Sequence, residues 1–168
     1  MLKEFKIYCD LDGVIADFDG RVKEITGKWP KEFPSSNQVW KALDLQAEDN
    51  YAYFYSGVNL LPDAHILWEF LKPFNPEILT ALGRLSFSTK VKLDWIYDQL
   101  DSEVKVLFVE RGEHKAIQYG KKGTVLIDDK EKSIISWRKT DGIGVVHKSA
   151  EETIRNLKLE IMLYTGNI

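Results

Sequence analysis

The sequence predicts an α/β protein with three layers: helices on both faces of a parallel sheet of about five strands, and a small, mainly helical insert after strand one. Three observations predict it. From residue 61 onward, short apolar runs alternate with segments of helical spacing, the pattern of a parallel sheet built from right-handed crossovers. Residues 20–60 break that alternation and are rich in aromatics. Acidic residues stand where several of the apolar runs end.

Each element has its own reason. Residues 5–9 hold Phe5, Ile7 and Tyr8 with no turn residue among them, which reads as a buried strand. Residues 14–27 read as a flap entering a helix with Phe18, Val22 and Ile25 on its apolar side; Asp17 and Asp19 suit its cap or its solvated face. Residues 39–45 suggest a short helix capped by Ser36 or Asn37, and 51–55 form an aromatic cluster before Gly57. Pro62 suits a helix first turn, and Ala64, Leu67, Trp68 and Leu71 follow at helical spacing until Pro73. Residues 77–80 are a second strand, 83–88 a loop, and Ser88 or Thr89 begins a helix to Leu100. Strands at 104–109, 124–127 and 143–146 alternate with helices at 113–119, 131–139 and 150–164; Gly120 stops the first of these helices. The expected organisation is therefore a core of residues 1–19 and 61–168 and an insert of residues 20–60.

Composition narrows the function classes. The chain has 168 residues, 44% hydrophobic and 29% charged, enough for one domain with a substantial core. A net charge of −3 leaves no basic footprint for strong nucleic-acid binding, and Lys121-Lys122 and Arg138-Lys139 read as solvated surface. The single cysteine, Cys9, has no partner for an internal disulfide, which fits a reducing, cytoplasmic setting. Residues 1–6 lack a signal-peptide core and no apolar run reaches transmembrane length, so no membrane partner is expected. His65, His114 and His147 lack zinc-ligand spacing and read as structural or surface residues. No feature of the sequence sets an oligomeric state.

In an open parallel sheet the site lies beyond the carboxyl ends of the strands. Strand one ends in Asp10 and Asp12, with Gly13 permitting a sharp turn. Two carboxylates this close repel unless a cation lies between them, and oxygen ligands suit Mg²⁺. An acidic turn after a strand is the plain alternative. The second strand ends in Thr80 and the fourth in Asp128-Asp129, while Lys115 lies on the helix after the third. Acids, a hydroxyl and a lysine thus converge on one sheet edge from four places in the sequence.

Asp10-Leu11-Asp12-Gly13-Val14, Thr80, Lys115 and Asp128-Asp129 resemble, in order, the four motifs of the haloacid dehalogenase (HAD) superfamily of phosphatases. The fuller run Asp10-Leu11-Asp12-Gly13-Val14-Ile15-Ala16-Asp17-Phe18, with an insert directly after it, resembles the 5′(3′)-deoxyribonucleotidase family, as does Leu126-Ile127-Asp128-Asp129. The sequence departs from those relatives at Ala81-Leu82-Gly83-Arg84, where Ser-Pro is frequent, and in a slightly long stretch from Lys115 to Asp128; Lys121 and Lys122 are alternative lysines. The resemblance implies a HAD-like, Rossmann-type core and a Mg²⁺-dependent phosphomonoesterase acting on nucleoside monophosphates, deoxy forms foremost.

The chemistry is coherent on its own terms. Asp10 attacks phosphorus to form an aspartyl-phosphate. Asp12 protonates the leaving alcohol and then activates water. Thr80, the Ala81 amide and Lys115 hold the phosphoryl oxygens, and Asp10, Asp12, Asp128 and Asp129 hold the metal. Phe18, Trp40 and Tyr53 are the expected substrate contacts from the aromatic segment, because a nucleobase offers a π-face; Tyr51 and Tyr55 are further candidates, and some of the aromatics should form the insert's own small core. Two other functions fit parts of the pattern: hydrolysis of a sugar phosphate or a nucleic-acid end, and a phospho-receiver domain, which would carry no insert after strand one.

Overall fold

The strand residues are apolar on both faces, as helices covering both sides of a sheet require. The computed structural model of the protein describes residues 2–82 and 88–166. It contains a five-stranded parallel sheet: β1 (Lys6–Cys9), β2 (Glu77–Ala81), β3 (Val106–Val109), β4 (Thr124–Asp128) and β5 (Ile143–Val146). Strand residues alternate between two cores. Ile7, Cys9, Ile78, Val125 and Ile127 face one, and Tyr8, Leu79 and Leu126 face the other. The first core is closed by α4 (Ala64–Leu71), α5 (Ser88–Gln99) and α8 (Ala150–Thr165). The second is closed by α6 (His114–Tyr119) and α7 (Glu131–Arg138), with Ala116, Ile134 and Trp137.

The strand order is β3-β2-β1-β4-β5. The chain moves outward from β1 to β3, then crosses back to β4, so the direction of winding reverses between β1 and β4. That is the switch point where open sheets form their crevice. Cys9 pairs with Ile127, and the Asp10 N–H donates to the Ile127 carbonyl at 2.9 Å, so Asp10 and Asp128 leave the sheet side by side. Receiver-type sheets use the order 2-1-3-4-5, so this topology sets the receiver reading aside.

Between β1 and α4 lie α1 (Phe18–Thr26), α2 (Ser36–Ala42) and α3 (Glu48–Ser56). Asp17 caps α1 by accepting from the Gly20 N–H at 2.9 Å. The second helix starts a turn earlier than its apolar residues suggest, with extended Ser35 at its N-cap. The aromatic cluster at 51–55 is helical: Tyr51, Phe54 and Tyr55 share one buried face at i, i+3, i+4 spacing. Val22, Val39, Leu45, Tyr51, Phe54 and Tyr55 join the same apolar cluster as the sheet, where the sequence suggested a separate small core. The loop expected at 83–88 lies, apart from Ser88, outside the described residues. No helix among the described residues is long and apolar enough to cross a membrane.

Candidate active site

The buried end of β1 brings a carboxylate into low dielectric, which is tolerable only with partners. Asp10 has one in Lys115, in the first turn of α6: its Nζ lies 2.7 Å from Asp10 Oδ1 and 2.7 Å from Asp128 Oδ2. Asp10 Oδ1 also accepts the Leu11 N–H at 2.8 Å, and Asp128 Oδ1 accepts the Lys130 N–H at 2.9 Å. Burial alone would depress the Lys115 pKa, but the two carboxylates outweigh it and hold the ammonium charged. Lys121 and Lys122 are exposed.

Carboxylate oxygens of Asp10, Asp128 and Asp129 gather within 4.8 Å of one another. Burial pushes the Asp10 carboxyl up to about 6, with Lys115 opposing the shift. Burial, followed by the charge of Asp10, pushes Asp129 up to about 7. Asp129 Oδ1 is buried with no hydrogen-bond partner. Gly13, at φ +83°, makes room for this side chain, since a Cβ at 13 would lie 2.6 Å from Asp129 Oδ2 and 3.2 Å from Asp129 Cβ. Three carboxylates, an orphaned oxygen and mutual repulsion form a donor set that fits a hard divalent cation such as Mg²⁺. Asp129 is the freest ligand, because both oxygens of Asp128 already accept hydrogen bonds.

The Asp12 carboxylate stands apart from the cluster of Asp10, Asp128 and Asp129. Its Oδ2 lies 2.6 Å from Lys92 Nζ, and its Oδ1 accepts from the Tyr55 hydroxyl. Burial alone would raise the Asp12 pKa, but Lys92 and Tyr55 reverse this and hold it below the usual carboxylate range. Lys92 also donates to Thr80 Oγ1 at 3.0 Å and to the Ala81 carbonyl at 2.8 Å. Sequence reasoning missed Lys92, although a signal was present: it shares the buried face of α5 with Trp95 and Ile96 at i, i+3, i+4 spacing. A lysine on an apolar stripe requires an acidic partner.

A cavity of about 410 Å³ opens over these groups. Asp12, Gly13, Ala81, Lys92, Asp129 and Lys130 form its polar end, and Phe18, Phe33, Val39, Trp40 and Tyr51 its apolar wall. Phe18, Trp40 and Ala81 are among the residues that line this cavity. Tyr53 is not: it is 69% exposed, under the Arg21 guanidinium at 5.5 Å and away from the cavity lining. Tyr55 is fully buried and cannot stack on a ligand. Thr80 and Lys115 do not line the cavity; Thr80 bonds Lys92, which does.

No family model and no curated protein matches this sequence. Solved structures do match in fold. A haloacid dehalogenase-like hydrolase from Streptococcus pneumoniae is 15% identical, with 98% of this chain and 100% of that chain covered at a TM-score of 0.59. A HAD phosphatase from Thermococcus onnurineus is 15% identical, covering 86% of each chain at 0.54. A Thermotoga maritima protein assigned as a beta-phosphoglucomutase is 17% identical, covering 92% of this chain and 99% of that one at 0.54. The fold is thus HAD-like and Rossmann-type, and its structural neighbours are HAD hydrolases and phosphatases. At these identities the likeness is one of fold.

Proposed function

We propose that the protein is a Mg²⁺-dependent phosphomonoesterase that hydrolyses nucleoside monophosphates, deoxyribonucleotides foremost, through an aspartyl-phosphate on Asp10. The observation that carries this reading is the position of Asp10: at the sheet's switch point, bonded to Lys115, clustered with Asp128 and Asp129, beside a cavity with a charged end and an aromatic wall. Asp10, Asp128 and Asp129 would hold Mg²⁺, which when bound offsets the charge of a phosphate dianion. Asp10 attacks phosphorus, and its carboxylate oxygen becomes the bridging oxygen of the intermediate. Asp12, at the cavity's polar end, has to carry a proton when substrate binds, against the pull of Lys92 and Tyr55; it gives that proton to the departing alkoxide and recovers one from the water that cleaves the aspartyl-phosphate. Lys115 keeps Asp10 oriented and neutralises charge building beside it. Phe18, Trp40 and Tyr51 supply a flat apolar wall suited to a base.

A sugar phosphate is the second reading. The same cavity offers Ser35, Ser36 and Asp19 as partners for sugar hydroxyls, and one fold neighbour is assigned to a phosphosugar reaction. Phosphate release with Mg²⁺ across a panel of nucleoside monophosphates and sugar phosphates separates the two. The nucleotide reading expects kcat/KM for the best nucleotide at least tenfold above the best sugar phosphate; the reverse order would replace it.

A further inference from the structure

We infer that the Lys130 ammonium binds the phosphate group of the substrate, a contact separate from the residues assigned to the chemistry. Three lysines stand at the site, and their protons are committed very differently. Lys115 is buried between Asp10 and Asp128, 2.7 Å from each, and does not line the cavity. Lys92 lines it, but its Nζ already meets three acceptors: Asp12 Oδ2 at 2.6 Å, Thr80 Oγ1 at 3.0 Å and the Ala81 carbonyl at 2.8 Å. An ammonium has three protons to donate, so Lys92 has none left for a ligand. Lys130 differs from both. It is exposed and lines the polar end of the cavity with Asp129. Its ammonium has no ion-pair or hydrogen-bond partner among the described residues. Its backbone N–H does have one, donating to Asp128 Oδ1 at 2.9 Å, and this bond fixes where the side chain begins.

The charges around the cavity give such a lysine its use. Asp12, Asp19 and Asp129 all line the cavity, and of these only Asp12 forms an ion pair among the described residues. A phosphate dianion arriving there meets uncompensated carboxylates, and Lys130 is the uncommitted cation among the described lining residues. A flexible ammonium with three free donors suits a group with several acceptor oxygens. Nothing but water competes for those donors.

This inference rests on the phosphatase reading. The probe is inorganic phosphate, titrated by calorimetry into the Mg²⁺-saturated protein. Lys130→Met should raise its dissociation constant by about tenfold to a hundredfold, the size of one hydrogen-bonded charge contact. Lys130→Arg keeps the charge and should restore most of the affinity. Lys139→Met, at an exposed position just past the other end of α7, makes the same change in net charge and should leave phosphate binding unchanged. Mg²⁺ affinity without phosphate should not fall in Lys130→Met, because that ammonium holds none of the carboxylates. Equal phosphate affinity in wild type and Lys130→Met, or an equal loss in Lys139→Met, overturns the contact. A fall in Mg²⁺ affinity with Lys130→Met overturns it too, since the lysine would then support the acidic cluster instead. So does a wild-type protein that hydrolyses phosphate esters yet binds no phosphate. A wild-type protein that neither binds phosphate nor releases it from any ester overturns the phosphatase reading, and this inference with it.

Discussion

Two lysines are buried among the described residues, and they divide the site between them. Lys115 joins two strand ends: it bridges Asp10 of β1 and Asp128 of β4 across the switch point. Lys92 joins layers instead, tying Asp12 to Thr80 of β2 while Tyr55 of α3 meets Asp12 from the far side. The first lysine sits among the groups that would handle phosphate and metal. The second governs the group that would handle the leaving alcohol. Each buried cation thus has its own carboxylate partners: Asp10 and Asp128 for Lys115, Asp12 for Lys92.

The sharpest way to break that division is Asp10→Asn. It is nearly isosteric and removes the nucleophile, so turnover should fall by at least about a thousandfold while the fold persists. Phosphate release with substantial turnover would take Asp10 out of this role. Lys115→Met should come next. It leaves two buried carboxylates without their shared cation and should destabilise the protein by about 3–5 kcal/mol in urea unfolding. A loss below about 1 kcal/mol would show that the strand-end pairs contribute little. Trp40→Ala tests the apolar wall: KM for nucleotides should rise by about tenfold, the size of one stacked ring, with 4-nitrophenyl phosphate nearly unaffected. Tyr53→Ala, at an exposed position, should change neither.

The smallest expected effect concerns pH. Asp10 and Asp129 have carboxyl pKa values pushed up to about 6 and about 7. A carboxyl whose folded pKa exceeds its unfolded value of about 4 binds protons more tightly when folded, so it withdraws stability as it ionises. Metal-free protein should therefore lose Tm as pH rises from about 4 through about 7. Asp12, shifted the other way, acts at lower pH, where acid rather than base withdraws its contribution. Saturating Mg²⁺ should flatten the decline above pH 5, and a chelator should restore it. A Tm that rises across this window without metal would contradict the burial penalty assigned to the ionised forms of Asp10 and Asp129.

The sequence by itself determined the strands and most helices, because strand and helix periods are local properties of a few consecutive residues. It also marked Asp10 and Asp128-Asp129, since each lies at or just past the end of an apolar run, while Lys115 was singled out by its place on the helix after the third strand and by the motif order. Helix α3 was less legible, because Tyr51, Phe54 and Tyr55 read equally as an irregular aromatic cluster until a shared buried face resolves them. Only the tertiary structure decided which carboxylates share a site. Asp10 and Asp12 are two residues apart, yet Gly13 turns the chain and sends their carboxylates to different lysines. Lys92 lies 80 residues from Asp12 and Tyr55 lies 43 from it. Contacts at such separations leave no periodic trace, because they are fixed by how the layers stack on the sheet rather than by the residues between them.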